Sequence, residues 1–391
     1  MKQRICSGLL AIAMLLAIFS MPAAATADLQ LAAPSAILID GATGTVLYES
    51  NAHEKLAPAS VTKVMTLLLI MEAIDSGRIA WTDMVTASEA AAAKGGSQIY
   101  LKVGETMSVE EMVKSVTVSS ANDCACALAE HIAGSEAAFV DKMNQRAAEL
   151  GMKDTHFVNC TGLDDEPNAA EHLTSAYDIA LMSRELLMKH PDIKKFTTIW
   201  MDTVRGGAFG LSNTNKLVRF YEGTTGLKTG FTRAAGYCLS ASAARDGLEL
   251  IGVVLHCEST NDRFQSAKAM LDYGFANYAL ISAKGEEAIP AVPVTLGKSG
   301  QVQAVVSGEE QLLIEKANQS SITRTVTVLP SVTAPVNQGQ QLGTLTVRSG
   351  DTVLAELPLV AELPVERLTW KDIAMRLLAK LSMATWQPGE A

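Results

Sequence analysis

Two short apolar runs, at 36–40 and 45–49, flank Gly41-Ala42-Thr43-Gly44. Such runs around a glycine-bearing turn predict a β-hairpin. The period then changes. Over 61–74 apolar residues recur every third or fourth position, the spacing of a helix face, and Ser60 stands where an N-cap or first-turn residue belongs. The same spacing returns over 109–118, 121–133, 136–150 and 175–189, so the middle of the chain is predicted to be helical. Apolar and β-branched runs reappear at 237–243 and 248–256, joined by Ala244-Arg245-Asp246-Gly247, and 260–278 reads as a closing helix. Strands at both ends with helices between them predict an α+β domain. One sheet would draw its strands from both ends of the segment, with a helical lobe inserted.

Beyond Ser282 the pattern changes again. Short alternating runs at 323–329, 342–347 and 352–357 are punctuated by Gly, Pro and Ser-Gly-Asp turns, which predicts a small all-β domain over 282–364. In the tail, 365–391, Trp370, Ile373, Ala374, Leu377, Leu378 and Leu381 form one helical stripe. Arg367, Lys371, Arg376 and Lys380 outnumber Glu366 and Asp372 beside it. A basic amphipathic helix after a finished β domain predicts an in-plane membrane anchor, ahead of a helix packed on its own core. At the other end, Lys2 and Arg4 precede an unbroken apolar run over 9–19, then Pro22 and Ala25-Thr26-Ala27. That is the order of a secretory signal, so 1–27 is expected to be removed and 28–281 to form the first domain. The protein is then expected outside the cytoplasm, on the outer face of the cytoplasmic membrane or in the wall space.

Composition narrows the classes. With 391 residues, 48% of them hydrophobic, the chain can build a large core without a disulfide or metal staple. No apolar run approaches the roughly 20 residues of a spanning helix, which excludes a multi-pass membrane protein. A formal charge of -10 repels a phosphate backbone, so no nucleic-acid partner is expected. Once Cys6 leaves with the signal, Cys124, Cys126, Cys160, Cys238 and Cys257 remain, an odd number. They read as small buried side chains, with one disulfide left open. No histidine sits at ligand spacing from them and none forms an H-E-x-x-H pattern, so no metal is expected.

Three short motifs could carry chemistry. Ser60-Val61-Thr62-Lys63 places a hydroxyl and an amine on one helix face. A serine becomes a useful nucleophile only when a base takes its proton, and a lysine of depressed pKa can be that base. Ser120-Ala121-Asn122 falls at a loop-to-helix junction, and Lys228-Thr229-Gly230 comes just before the late strands. Singly, these read as a cap with a solvated lysine, a second N-cap, and a turn with an exposed lysine. In order, over about 170 residues, they resemble the S-x-x-K, S-x-N and K-T-G set of penicillin-binding proteins and serine β-lactamases.

The likeness goes further. Leu56-Ala57-Pro58-Ala59-Ser60-Val61-Thr62-Lys63-Val64-Met65-Thr66 resembles the nucleophile segment of D-alanyl-D-alanine carboxypeptidases, the low-molecular-weight penicillin-binding proteins. Gly95-Gly96-Ser97-Gln98, Ser120-Ala121-Asn122-Asp123, Thr161-Gly162-Leu163, Thr174-Ser175-Ala176-Tyr177-Asp178 and Gly226-Leu227-Lys228-Thr229-Gly230-Phe231-Thr232 are similar to that family in the same order, over roughly 33–280. Ala334-Pro335-Val336 through Gly339 to Leu342-Gly343 resembles its C-terminal β domain, and the tail its anchoring helix.

The resemblance implies a β-lactamase/transpeptidase-like domain with an antiparallel sheet and a helical lobe. It implies Ser60 as nucleophile, Lys63 as its base and Ser120 as a proton relay. Asn122 would grip the peptide, and Lys228 and Thr229 would bind the terminal carboxylate. The charge of Lys228 would depress the pKa of Lys63. Beyond Gly230, the Phe231 N–H would hold the oxyanion together with that of Ser60. The implied substrate is a peptidoglycan stem peptide ending in D-Ala-D-Ala, β-lactams would acylate Ser60, and no cofactor is needed. Ala121 stands where glycine is common, and Phe231 where some members carry histidine. Asp178 and Arg263 are secondary candidates, read first as loop-ordering or pairing residues. A serine β-lactamase, a peptidoglycan endopeptidase and a catalytically silent wall-binding module are the alternatives. Glu166-Pro167-Asn168 resembles a β-lactamase deacylation segment only superficially.

Overall fold

The computed structural model describes residues 29–384 apart from 166–167, 287 and 309–310, so the expected signal segment lies outside the described residues. A five-stranded antiparallel sheet organises the first part of the chain, in the order Val46–Ser50, Ser35–Asp40, Leu248–Cys257, Gly236–Arg245, Thr224–Thr232. Early and late segments meet at its centre, where Ala36 lies opposite Val254 and Ile39 opposite Ile251. This is the α+β architecture expected from strands at both ends of the segment.

Both faces of the sheet are covered. Ile37, Ile39, Ile251, Val253 and Leu255 pack into the core beneath the helical lobe. Leu38, Leu239, Ala241, Leu250 and Val254 face the helix Thr260–Asn277 on the other side. That is why Ser35–Asp40 is buried at every position and reads as a run rather than an alternation. The edge strand Thr224–Thr232 had no such signal. Its two glycines, four threonines and lysine resemble a turn, and only pairing with Gly236–Arg245 makes it a strand.

The lobe helices follow their caps. Ser108, Ser135 and Ser175 accept from the N–H groups of Glu111, Ala138 and Asp178, which sets the starts of Val109–Ser119, Glu136–Glu149 and Ala176–Lys189. Ser259 does the same for Thr260–Asn277. The predicted helix over 61–74 divides into a 3-10 turn, Ala59–Thr62, and the α-helix Lys63–Asp75. Ten of that helix's thirteen residues are buried, so it runs through the core rather than along the surface.

The strand Tyr278–Ser282 leaves the closing helix directly and pairs with Gln311–Glu315. A four-stranded antiparallel sheet follows, in the order Ala304–Val306, Thr352–Ala361, Gln341–Ser349, Ile322–Val328, and it has its own core of Val292, Leu342, Leu345, Val347 and Leu359. The tail forms the helix Trp370–Ala384. Trp370 is 74% exposed, and Leu377 and Leu378 are 58% and 61% exposed, so the reading in which this stripe packs on its own core does not hold. No helix among the described residues is long and apolar enough to cross a membrane.

Candidate active site

The S-x-x-K segment is a strained turn leading into a buried helix. Ala59 has φ +47°, a left-handed conformation that costs a residue with a Cβ on the order of 1 kcal/mol. The Thr62 hydroxyl donates to the Ala59 carbonyl at 2.8 Å. Ser60 lies within the 3-10 turn, so of the two positions expected for it the first-turn one is observed. Lys63 is not solvated, as its motif read singly would have it, but fully buried. Its Nζ lies 2.9 Å from Ser60 Oγ and donates to the Thr161 carbonyl at 2.8 Å. Burial lowers its pKa to about 7, and Cys160 and Asp123 oppose that shift. A neutral amine can take a proton from the hydroxyl beside it.

The second motif straddles a helix break. Ser120 is not an N-cap; it closes Val109–Ser119 in the left-handed conformation, with φ +63°. Asn122 then opens Asn122–Ala133. The Asn122 side chain donates to the Gly95 carbonyl at 2.7 Å, and its backbone N–H donates to the Ser97 carbonyl at 2.7 Å. Ser120 Oγ and Asn122 Oδ1 are buried and have no hydrogen-bond partner among the described residues. Two orphaned polar atoms on adjacent turns are what a site keeps for a ligand, because leaving them unmet costs about 1–3 kcal/mol each. Asp123 anchors the facing loop, accepting from the N–H groups of Ile99 at 3.1 Å and Leu101 at 3.0 Å.

The third motif lies on the edge strand. Gly230 passes so close to the nucleophile turn that a Cβ there would stand 2.7 Å from the Pro58 carbonyl oxygen and 3.1 Å from the Ser60 nitrogen. The reading of Lys228 as an exposed turn residue fails: it is 1% exposed, within a strand, and its Nζ donates to the Thr229 carbonyl at 2.9 Å. Thr229 donates to the Thr214 hydroxyl at 2.6 Å, and the Thr214 N–H donates to the Val118 carbonyl at 3.2 Å. Thr214 thus ties the third motif to the helix that ends at Ser120. Phe231 is 52% exposed and stacks on Tyr237, with ring centres 4.4 Å apart.

The electrostatics correct one expectation. Burial, not the charge of Lys228, is the main force lowering the pKa of Lys63. Lys228 is itself pushed well below its ordinary value, first by burial and then by Lys63 and Arg263. Arg263 donates to the carbonyls of Gly230 at 3.1 Å and Cys238 at 3.4 Å, so it props the edge strand from behind. Asp178 accepts from the Asp154 N–H at 2.8 Å and the Thr155 hydroxyl at 2.7 Å, the loop-ordering reading made of it. All five described cysteines are buried and free.

Thr161-Gly162-Leu163 was legible as a segment through its resemblance, but not what its atoms do at the site. Thr161 contributes a backbone carbonyl, which residue type cannot announce. Gly162, at φ +81°, is pressed against the nucleophile turn, and a Cβ there would fall 1.8 Å from the Ala59 oxygen. Asn159 holds this loop by accepting from the N–H groups of Thr161 at 3.1 Å and Gly162 at 2.7 Å. His172 and Thr214 lie far from the three motifs in sequence.

Comparison with known proteins places this arrangement. The family profile for D-alanyl-D-alanine carboxypeptidase (peptidase S11) matches residues 21–259. The chain belongs to this family. A second profile, penicillin-binding protein 5 C-terminal domain, matches residues 278–367. The carboxypeptidase is 43% identical over 342 residues to D-alanyl-D-alanine carboxypeptidase DacF of Bacillus subtilis, covering 86% of this chain and 87% of that protein. It is 32% identical over 362 residues to DacC of Escherichia coli, covering 88% of each. Penicillin-binding protein 5 of Haemophilus influenzae superposes with a TM-score of 0.72 at 29% identity, covering 86% of this chain and 98% of the other. Ampicillin-bound penicillin-binding protein D2 of Listeria monocytogenes superposes with a TM-score of 0.57 at 32% identity, covering 63% and 98%. The protein is a serine-type D-alanyl-D-alanine carboxypeptidase, and its substrate class is the D-Ala-D-Ala terminus of peptidoglycan stem peptides. The silent-module and β-lactamase readings are not favoured.

Proposed function

We propose that Ser60 attacks the carbonyl of the penultimate D-alanine while Lys63 takes its proton. The observation that carries this reading is the fully buried amine 2.9 Å from the hydroxyl, with a pKa of about 7. The new oxyanion is held by the N–H groups of Ser60 and Phe231, which Gly230 brings together; one such donor is worth about 3 kcal/mol. Asn122 Oδ1 accepts from the substrate backbone, and Ser120 Oγ passes a proton to the leaving D-alanine amine. Lys228 and Thr229 receive the terminal carboxylate. The incoming negative charge favours the charged form of Lys228 that burial disfavours. Water then cleaves the acyl-enzyme. A β-lactam follows the same first step and leaves slowly.

The domain limits proposed with it are 28–281 for catalysis, 282–364 for the β domain and 365–391 for the tail, with Tyr278–Ser282 as the seam. The exposed stripe of Trp370, Ile373, Leu377 and Leu378 supports an in-plane anchor on the outer membrane face. Replacing Leu377 and Leu378 with aspartate should release the full chain from phosphatidylglycerol vesicles in a sedimentation assay. Equal sedimentation would remove the anchor from the proposal.

The decisive experiment is intact-mass and peptide mapping after incubation with benzylpenicillin. The parent protein should carry one adduct on the Ser60 peptide. Ser60→Ala should keep its fold and lose both the adduct and D-alanine release, by about 10⁴-fold or more. An undiminished rate would overturn the assignment.

A further inference from the structure

We infer that His172 is a positioning residue for acylation, holding the Ser60 turn and the loop that carries the Lys63 acceptor in one register. This rests on the reading of Ser60 as nucleophile. The ring is buried and sits edge-on to Phe157, with centres 5.6 Å apart. Its Nδ1 accepts from the Val158 N–H at 3.1 Å. The ring hydrogen therefore belongs on Nε2, which donates to Thr62 Oγ1 at 2.7 Å. Having accepted that bond, Thr62 has one direction left for its own hydrogen, the Ala59 carbonyl.

The polarity of this chain is fixed from end to end. It starts three residues before Thr161, whose carbonyl holds Lys63, and ends on the strained residue that precedes Ser60. One imidazole thus bridges the segment that carries both hydroxyl and amine and the loop whose carbonyl holds the amine. A strained φ persists only where its surroundings over-determine it, and the Thr62 bond is part of what determines Ala59. Burial, with His156 and Lys63 nearby, brings the pKa of His172 down to about 4, so the neutral ring that this pattern requires is present at working pH.

A histidine that merely filled space would be replaceable by phenylalanine, which keeps the ring against Phe157 but makes neither bond. Glutamine keeps an acceptor and a donor about as far apart as the two ring nitrogens. The test is benzylpenicillin acylation followed by mass, with the saturating rate and the half-saturation concentration measured separately. His172→Phe should lower the saturating rate about 100-fold and leave half-saturation unchanged, the expected consequence of misplacing reacting groups by about an ångström. His172→Gln should stay within about fivefold of the parent. Thr62→Val should reproduce the loss, and adding His172→Phe to it should cost nothing further. Parent-like acylation by His172→Phe or Thr62→Val would overturn the inference. So would a loss shared equally by His172→Phe and His172→Gln, or additive losses in the double variant. If the parent itself carried no adduct on Ser60, the nucleophile assignment would fail first, a result distinct from all of these.

Discussion

The nucleophile neighbourhood and the C-terminal β domain obey opposite rules. In the β domain, Ile322–Val328 alternates half-buried and exposed positions, and Leu342, Leu345 and Val347 of the next strand point into an apolar core. Around Ser60, two lysines are buried, Ala59 and Ser120 adopt left-handed conformations, and two buried polar atoms have no partner among the described residues. The first region follows ordinary sheet packing. The second stores unfavourable terms that only a substrate can relieve, and the surrounding core of the sheet and lobe holds them in place.

The sharpest way to break this contrast is Lys63→Met. It should lower D-alanine release by about 10⁴-fold, because the nucleophile loses its base. It should also raise stability by on the order of 1–3 kcal/mol, because a buried amine is replaced by an apolar chain of similar length. Calorimetry beside the activity assay checks both, and a less stable variant would mean the site stores no such cost. In the β domain, Leu345→Ala should cost about 3 kcal/mol, visible as earlier melting of that unit. Soluble-substrate turnover should stay unchanged, and a parallel loss of rate would show that the two regions are coupled. The smallest effect is in pH. Because the folded-state pKa of Lys63 lies near 7, well below the 10.5 of a free lysine, its base form grows as pH rises through 7. The rate of benzylpenicillin acylation should fall about tenfold per unit below pH 7, or about 1.4 kcal/mol each. The same depressed pKa means that Lys63 burdens the fold less as pH rises from 7 towards 10.5. A flat acid limb would contradict the neutral amine.

Much of this was legible from local pattern. The covered strand Ser35–Asp40, the serine-capped helices and the alternating β domain each announce themselves within a few residues. The three motifs were legible as text, but their surroundings were not. Lys228 reads as a turn lysine because Thr-Gly-Leu-Lys-Thr-Gly carries turn residues, and it becomes a buried strand position only when Gly236–Arg245 pairs with it. Ser120 reads as an N-cap because a helix follows it, whereas the helix before it claims it.

Residue order alone established which side chains could react: a hydroxyl and an amine one helical turn apart, with an amide and a second amine further along the chain. It could do so because helix spacing and side-chain chemistry are local properties. Tertiary structure alone decided that the first amine would give up its proton near pH 7, that backbone atoms of Thr161 and Gly230 would frame it, and that His172 would reach Thr62 from 110 residues away. Those outcomes depend on burial and on contacts between distant segments, and neither exists until the chain has folded.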